Sequence, residues 1–218
     1  ATTKLVDELS LTIETPARGE VFKSNGDRVI EFRPKSDGKR LDKEKFRQDF
    51  SRALLTQDKE VILAVSNIKA KGSVNKYGIY ALLGEGVSYF HHSIPGRIRN
   101  LTLASSRTSG VLVPPGEIYS FNKSVGDISA QTGYDAAYII KDGRTVLGAG
   151  GGVCQVSTTI FRAVLNAGLP VIKRTAHAYR VGYYEENSPV GLDATVFQPS
   201  VDFQFKNDTS GYILVQSE

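Results

Sequence analysis

Residues 150–159 read GGGVCQVSTT and hold the only cysteine of the chain, Cys154. After it, Val156, Ile160 and Val164 recur at the spacing of one helix face, so the pattern predicts a helix that begins beside the cysteine. A thiol at a helix N-terminus meets unpaired N–H groups and the positive end of the helix dipole, and both favour the thiolate. The stretch therefore predicts a reactive cysteine. The alternative is a small buried thiol in a tightly packed loop.

The composition is that of an ordinary globular protein, with 40% apolar and 23% charged residues among 218. The 27 lysines and arginines outnumber the 23 aspartates and glutamates without forming a basic stripe, so we expect no nucleic-acid partner. A single cysteine excludes an internal disulfide and zinc sites built on several thiolates, and we expect neither a metal nor another cofactor.

No run of the sequence approaches the roughly 18 apolar residues needed to span a bilayer. The chain starts at Ala1 and contains no methionine. We therefore expect a fragment of a longer precursor, in which any export signal or membrane anchor lies in the missing part.

The first part of the sequence has the pattern of a small α+β domain. Alternating runs on either side of Asn25-Gly26 predict a short hairpin. A turn-rich stretch at residues 35–39 precedes a helical pattern for which Asp42 is the expected N-cap, and residues 61–65 predict a buried strand. Because no combination of catalytic side chains occurs here, we expect a structural or recognition role.

A change in composition marks the expected domain boundary. Glycine-containing segments follow each other at Lys71-Gly72-Ser73 and Gly84-Glu85-Gly86. We divide the chain into a first domain of residues 1–84 and a second domain of residues 85–218.

The second domain has the pattern of a helix followed by strands. Residues 97–106 predict a helix, and Asp142-Gly143 predicts the turn of a hairpin that leads into the glycine run. After the Cys154 helix we expect strands at residues 171–173, 176–184, 194–197, 201–205 and 212–215. The predicted fold class is therefore α+β, with the cysteine-bearing helix packed on an antiparallel sheet.

A thiol nucleophile needs a base within reach and a third group that orients the base. His177 lies on the predicted strand after the Cys154 helix, and Asp193 opens the next predicted strand. Neighbouring strands would bring the carboxylate against the imidazole, in the order known from papain-like and transglutaminase-like enzymes. The alternatives are that His177 is a half-exposed strand residue with one ordinary hydrogen bond and that Asp193 anchors the turn at Gly191.

Two other readings of the polar residues are weaker. His91 and His92 are adjacent, so on a strand they face opposite ways, and the histidines and carboxylates match no metal-binding spacing. The glycine run is followed by Val153-Cys154, whereas a phosphate-binding loop requires Lys followed by Ser or Thr.

Residues from about 88 to 215 resemble the VanW domain, because several short motifs occur in the same order. These motifs are Gly96-Arg97-Ile98-Arg99-Asn100, Val113-Pro114-Pro115-Gly116-Glu117, Tyr119-Ser120-Phe121-Asn122, Gly133-Tyr134, the stretch from Gly150 to Thr159, Arg174 with His177, and Gly191-Leu192-Asp193-Ala194-Thr195. Residues 38–42, which precede a helix, resemble the peptidoglycan-binding domain that is often found ahead of VanW.

The resemblance implies a cell-wall function. The VanW domain is named after an accessory protein of glycopeptide-resistance clusters, and some members in Gram-positive bacteria act as L,D-transpeptidases that depend on the cysteine of the glycine-rich motif. That residue is Cys154 here, whereas the roles of His177 and Asp193 follow from the physical argument above. The implied substrates are stem peptides of peptidoglycan, and the implied location is the extracellular cell wall.

The implied reaction is acyl transfer. The Cys154 thiolate attacks the carbonyl of the third stem residue, expels the terminal D-alanine and forms a thioester, which an amine of a neighbouring stem resolves. We expect the backbone N–H of Cys154 or Gln155 to stabilise the oxyanion. We expect substrate contacts from four side chains, Arg97, Gln155, Ser157 and Arg180.

Two alternatives to a transpeptidase remain open at the level of the sequence. The first is a non-catalytic peptidoglycan-binding or accessory protein of glycopeptide resistance, in which Cys154 is simply packed. The second is a cysteine hydrolase of wall peptides, in which water replaces the acceptor amine. The sequence also leaves the oligomeric state undecided.

Overall fold

The computed structural model describes residues 2–72, 75–141, 143–186 and 188–217. The chain forms two compact units, one made of Ala1–Lys23 with Glu31–Lys76 and the other of Ser24–Ile30 with Tyr77–Glu218. Both combine helices with antiparallel strands, which confirms the predicted α+β class. In the described ranges, no helix is long and apolar enough to cross a bilayer.

The helices and strands up to residue 76 are, in order, α1 Thr2–Ile13, β1 Val21–Asn25, β2 Arg28–Arg33, β3 Gly38–Leu41, α2 Lys43–Thr56 and β4 Val65–Ile68. The predicted hairpin is β1 and β2. Asp42 caps α2 as predicted, and its carboxylate accepts a hydrogen bond from the Lys45 N–H at 2.9 Å.

Three features of this part differ from the sequence-based expectation. Helix α1 was not predicted. The supposed turn at 35–39 includes the start of β3, which pairs antiparallel with β4 from Gly38–Ile68 to Leu41–Val65. The strand predicted at 61–65 is wrong for residues 61–64, since the strand begins at Val65. Strands β3 and β4 pair across more than 20 residues of sequence, so their pairing leaves no local pattern that the sequence could show.

The second unit contains the remaining elements, which are α3 Pro95–Thr108, β5 Val111–Val113, β6 Ile118–Ser120, α4 Phe121–Val125, β7 Ala136–Lys141, β8 Arg144–Ala149, α5 Val153–Asn166, β9 Val171–Lys173, β10 Gln204–Lys206 and β11 Ile213–Val215. Strand β10 lies between β6 and β9 in an antiparallel sheet. Strand β11 pairs with β5, and β5 also pairs at Val111 with Arg28 of the hairpin tip. Strands β9 and β11 confirm the strands predicted at residues 171–173 and 212–215.

The core of the second unit lies between α5, α3 and the strands. Helix α5 contacts α3, and its Phe161 ring packs edge-to-face on Phe203, with the ring centroids 5.7 Å apart. Phe203 and Phe205 are almost completely buried. Each such side chain contributes about 1.5–3 kcal/mol when it leaves water. This packing fixes α5, and with it the position of Cys154.

An extended segment before α3 lies directly against α5. A Cβ atom at Gly86 would lie 2.1 Å from the carbonyl oxygen of Thr159, so only glycine allows this close approach. Beside it, the hydroxyls of Ser88 and Thr159 form a hydrogen bond of 2.7 Å. The structure accordingly groups residues 77–84 with the second unit, whereas the composition places the domain boundary at residue 84.

The hairpin formed by β7 and β8 is as predicted, although Asp142 of its turn lies outside the described residues. The strands predicted at 176–184 and 194–197 are wrong, because neither segment forms a strand. Residues 194–197 make only isolated backbone pairings, from the Thr195 N–H to the Thr175 carbonyl and between Phe197 and Val201, and the His177 N–H donates to the Asp193 carboxylate at 2.8 Å. The alternating sequence of these segments therefore reflects local burial and not a sheet.

Candidate active site

Cys154 is the second residue of α5, as the sequence predicts. The helix begins after Gly152, which has a φ of +110°, a conformation that favours glycine. In the first turn, the Val153 N–H donates to the Gly150 carbonyl at 3.0 Å and the Gln155 N–H donates to the Gly152 carbonyl at 2.9 Å. The Cys154 N–H has no acceptor among the described residues. It is one of the free donors that a helix N-terminus offers to an anion.

The half-buried Cys154 thiol contacts the segment that follows Asp193. Its sulfur accepts from the Val196 N–H at 3.5 Å and from the Thr195 hydroxyl at 3.9 Å. In the opposite sense, the S–H can donate to the Val196 carbonyl at 3.4 Å. The two donors favour the thiolate, because they stabilise negative charge on sulfur.

His177 and Asp193 form the hydrogen-bonded pair that the sequence predicts, although neither lies on a strand. The Asp193 Oδ2 atom lies 2.5 Å from His177 Nδ1 and also accepts from the His177 N–H at 2.8 Å. A carboxylate only accepts, so Nδ1 carries the hydrogen and Nε2 is left for the thiol. The His177 side chain is 5% exposed and that of Asp193 is 16% exposed, so water screens the pair weakly.

Cys154, His177 and Asp193 shift one another's pKa values in the directions that favour the charged form of each side chain. Burial alone would raise the pKa of Cys154, but the hydrogen bond and charge of His177, helped by Val196 and Thr195, bring the pKa below its ordinary 9.0. Burial opposes the charge on His177 too, yet Cys154 and then Asp193 raise its pKa above 6.5. Despite burial, the His177 hydrogen bonds hold the pKa of Asp193 below 3.8. Thiolate, imidazolium and carboxylate therefore stabilise each other.

Arg174 holds Asp193 in place. Its Nε donates to the Asp193 carbonyl at 2.6 Å. Its Nη2 donates both to the Gly191 carbonyl at 2.5 Å and to Asp193 Oδ1 at 3.0 Å. The guanidinium lies 5.3 Å from the Phe161 ring centroid, so it also packs on α5. Arg174 thus binds the Oδ1 atom while His177 binds Oδ2.

Arg162, which the sequence reasoning missed, fastens the same loop to α5. Its side chain is mostly buried and donates to the carbonyls of Leu192 at 2.9 Å and Tyr184 at 2.6 Å. A charged residue on the otherwise apolar face of a predicted helix was the signal that could have revealed it. Tyr184 was also missed: its buried ring meets the His177 imidazole edge-to-face, with the ring centroids 5.6 Å apart.

The sequence of this unit matches a known family. Residues 96–218 match the VanW family, described as VanW like protein. The chain belongs to this family. All of the site residues described above lie within the VanW match, which confirms the resemblance of the second domain to VanW.

Two relatives of known sequence show the extent of the similarity. The chain is 40% identical over 136 residues to the uncharacterized protein YoaR of Bacillus subtilis, an alignment that covers 62% of this chain and 44% of that protein. It is 33% identical over 115 residues to the vancomycin B-type resistance protein VanW of Enterococcus faecalis, covering 52% of this chain and 42% of that protein. The chain thus spans less than half the length of either relative. No solved structure matches it.

Two of the expected substrate contacts in the VanW domain are internal. The Gln155 side chain is buried, accepts from Arg97 at 2.6 Å and donates to Ser88 at 3.1 Å and to the Tyr89 carbonyl at 2.8 Å. Its backbone N–H is also occupied, so of the two N–H groups expected to stabilise an oxyanion only that of Cys154 has no acceptor among the described residues. Buried Ser157 donates to the Ala194 carbonyl at 2.6 Å. Both side chains are therefore engaged within the protein and are not exposed at the surface.

Arg97 and Arg180, the other two expected contacts, are accessible to solvent. Arg180 is 71% exposed and forms an ion pair with Glu185. Arg180 lines a cavity of about 290 Å³ whose wall also includes His177 and Asp193, whereas Arg97 is not part of that wall. Cys154 is not part of that wall either, so the cavity opens on His177 and not on Cys154.

In the described ranges, neither of the remaining histidines forms a hydrogen bond with Cys154, His177 or Asp193. The His91 ring stacks on Tyr89 with the centroids 5.5 Å apart, and His92 has a φ of +59°. In the part of the chain that the structure describes, no group of three His, Cys, Asp or Glu side chains is arranged to hold a metal ion.

Proposed function

We propose that this chain is a cysteine-dependent acyltransferase of the cell wall, an L,D-transpeptidase that cross-links stem peptides of peptidoglycan. The observation that carries the proposal is the arrangement of Cys154 at a helix start with the His177–Asp193 pair, in which each pKa is displaced toward the reactive ionisation state. A thiol that is merely packed in a core has no need of a base and an orienting carboxylate.

In the first step, the thiolate of Cys154 attacks the carbonyl carbon of the third stem residue, and the carbonyl electrons move to oxygen. The free N–H of Cys154, at the positive end of α5, stabilises this oxyanion. The tetrahedral intermediate collapses with loss of the terminal D-alanine, whose amine nitrogen takes the proton from His177 Nε2. The products are a thioester on Cys154 and free D-alanine.

In the second step, an amine of a neighbouring stem peptide attacks the thioester carbon. Neutral His177 accepts the proton of this amine, and the C–S bond breaks to return the Cys154 thiolate and the His177 imidazolium. The new amide is the cross-link. Asp193 stays ionised throughout and keeps the imidazole in the tautomer that has Nε2 free to act.

The family context supports a cell-wall role. One relative bears the name of a vancomycin B-type resistance protein, and we extend that context to this chain as part of the proposal. The proposed substrate lies outside the membrane, so the proposed location is extracellular, with the anchor in a further segment of the protein. For the first unit we propose binding to the glycan.

The single cysteine makes the first test simple, because every alkylation reports on Cys154. We expect iodoacetamide to react at pH values well below those needed by a free thiol, and His177→Ala to move the profile to higher pH. A Cys154 that remains inert in the folded protein contradicts the nucleophile and favours the non-catalytic binding module.

The second test uses purified muropeptides and mass spectrometry. We expect a cross-linked dimer and free D-alanine with the wild-type chain, and neither with Cys154→Ala. A dimer that still forms with Cys154→Ala refutes the mechanism. Shortened monomers without dimer would assign the same site to a hydrolase.

A further inference from the structure

Arg97 is a guanidinium whose protein partners are all neutral. Its Nη1 donates to the Ser93 hydroxyl at 2.9 Å, and its Nη2 donates to the Gln155 side-chain carbonyl at 2.6 Å and to the Tyr183 hydroxyl at 3.3 Å. Its carbon Cζ lies 5.0 Å from the Tyr183 ring centroid. In the described ranges no carboxylate pairs with it, and its Nε–H and one Nη1–H have no acceptor. The cation is thus positioned but not neutralised.

Arg97 lies at the start of the nucleophile helix. A Cβ atom at Gly152 would lie 3.0 Å from Arg97 Cγ, so the side chain runs past the backbone two residues before Cys154. Its guanidinium contacts Gln155, the residue directly after the nucleophile. The positive charge of Arg97 therefore adds to that of the helix N-terminus at the same place.

Two other arginines near the site are paired with carboxylates, and a third, Arg162, is mostly buried and donates to backbone carbonyls. Arg174 pairs with Asp193 at 3.0 Å, and Arg180 pairs with Glu185. The neutral groups around half-buried Arg97 do not balance its positive charge. A planar guanidinium binds carboxylates especially well. The missing counter-charge is best supplied by a ligand.

We propose that Arg97 binds the terminal carboxylate of the residue that the reaction expels, and so restricts the substrate to peptides with a free C-terminus at that residue. The proposal rests on the proposed function. In the proposed reaction, the leaving amine and the terminal carboxylate belong to the same amino acid. A cation close to Cys154 can therefore bind that carboxylate while the thiolate attacks the preceding carbonyl. A peptide that is amidated or extended at this residue loses the contact.

Two alkylating reagents test this without the natural substrate. Iodoacetate and iodoacetamide have the same leaving group and nearly the same size, but only iodoacetate is an anion. We expect Arg97→Gln to lower the ratio of the iodoacetate rate to the iodoacetamide rate at Cys154 by about three- to tenfold at low salt. Arg97→Lys, which keeps the charge, retains most of the ratio.

The matched control is Arg99→Gln. Arg99 lies on the same helix, is 67% exposed and is 3.9 Å from Asp135, so its loss changes the net charge equally without touching the site. An equal ratio in the wild type, Arg97→Gln and Arg99→Gln overturns the proposal. So does an equal slowing of both reagents by Arg97→Gln, which would mean that Arg97 only positions Gln155.

A second measurement needs no variant. At fixed ionic strength, N-acetyl-D-alanine should protect Cys154 of the wild type from iodoacetamide, and N-acetyl-D-alanine amide should not. Equal protection by the two compounds contradicts the carboxylate site. If iodoacetamide itself reacts no faster than with a free thiol, the proposed function fails, whereas the ratio and the protection still report on Arg97.

Discussion

Asp193→Asn separates the charge of the orienting carboxylate from its shape. Asp193 Oδ2 accepts both the imidazole and the backbone N–H of His177, while Oδ1 accepts from Arg174. An asparagine has one acceptor oxygen. If that oxygen faces His177, the amide NH₂ meets the Arg174 guanidinium, donor against donor. If it faces Arg174, the NH₂ meets the His177 N–H and forces the hydrogen onto Nε2.

The magnitude follows from the hydrogen bond that is lost. A hydrogen bond to a charged group contributes about 1.5–3 kcal/mol, and about 1.36 kcal/mol corresponds to a factor of ten in rate. We therefore expect the alkylation of Cys154 by iodoacetamide at neutral pH to slow by about 10- to 150-fold. The pH profile should also move to higher pH, because the imidazolium that lowers the Cys154 pKa is itself destabilised.

A second buried carboxylate provides the control for this experiment. Asp202 accepts hydrogen bonds from Ser120 at 2.6 Å, Asn122 at 2.9 Å and Gln204 at 2.8 Å. Asp202→Asn should lower the free energy of unfolding about as much as Asp193→Asn does, and it should leave the pH profile of Cys154 alkylation unchanged. The reasoning is refuted if Asp193→Asn keeps the wild-type profile, or if Asp202→Asn shifts it equally.

Three further outcomes follow from the same contacts. Arg162→Met removes the donor to the buried Tyr184 carbonyl and to the part-buried Leu192 carbonyl, so the free energy of unfolding in urea should fall by about 1–3 kcal/mol. An unchanged denaturation midpoint contradicts these contacts. Arg174→Lys cannot reproduce the planar set of contacts, and we expect alkylation of Cys154 to slow by about three- to tenfold with a shifted pH profile; a change in stability alone would reduce Arg174 to a structural residue. Folding lowers the pKa of Asp193, so its ionisation stabilises the fold fully above pH 3.8, and this contribution is lost as the pH falls through the lower pKa of the folded state. The difference in unfolding free energy between wild type and Asp193→Asn should therefore shrink on acidification. A difference that does not depend on pH would contradict the lowered pKa.

The sequence by itself identifies the features that depend on neighbouring residues. Helical spacing and the glycines before it place Cys154 at a helix start, and Asn25-Gly26 and Asp42 mark a turn and a cap. These features depend on backbone propensities and on hydrogen bonds within a few residues, so the local pattern is sufficient to predict them. The motif order likewise indicates the VanW family before any contact is known.

The site that surrounds the cysteine is decided by contacts between distant segments. The sequence places His177 and Asp193 on strands, but the structure joins them in irregular segments that Arg174 and Arg162 hold to α5. It also turns Gln155 and Ser157 inward and, within the described ranges, gives the Cys154 N–H no acceptor. The stretch from Gly150 to Thr159 thus determines where the thiol lies, whereas tertiary packing decides which groups lower its pKa, because burial and charge pairing exist only once the chain is folded.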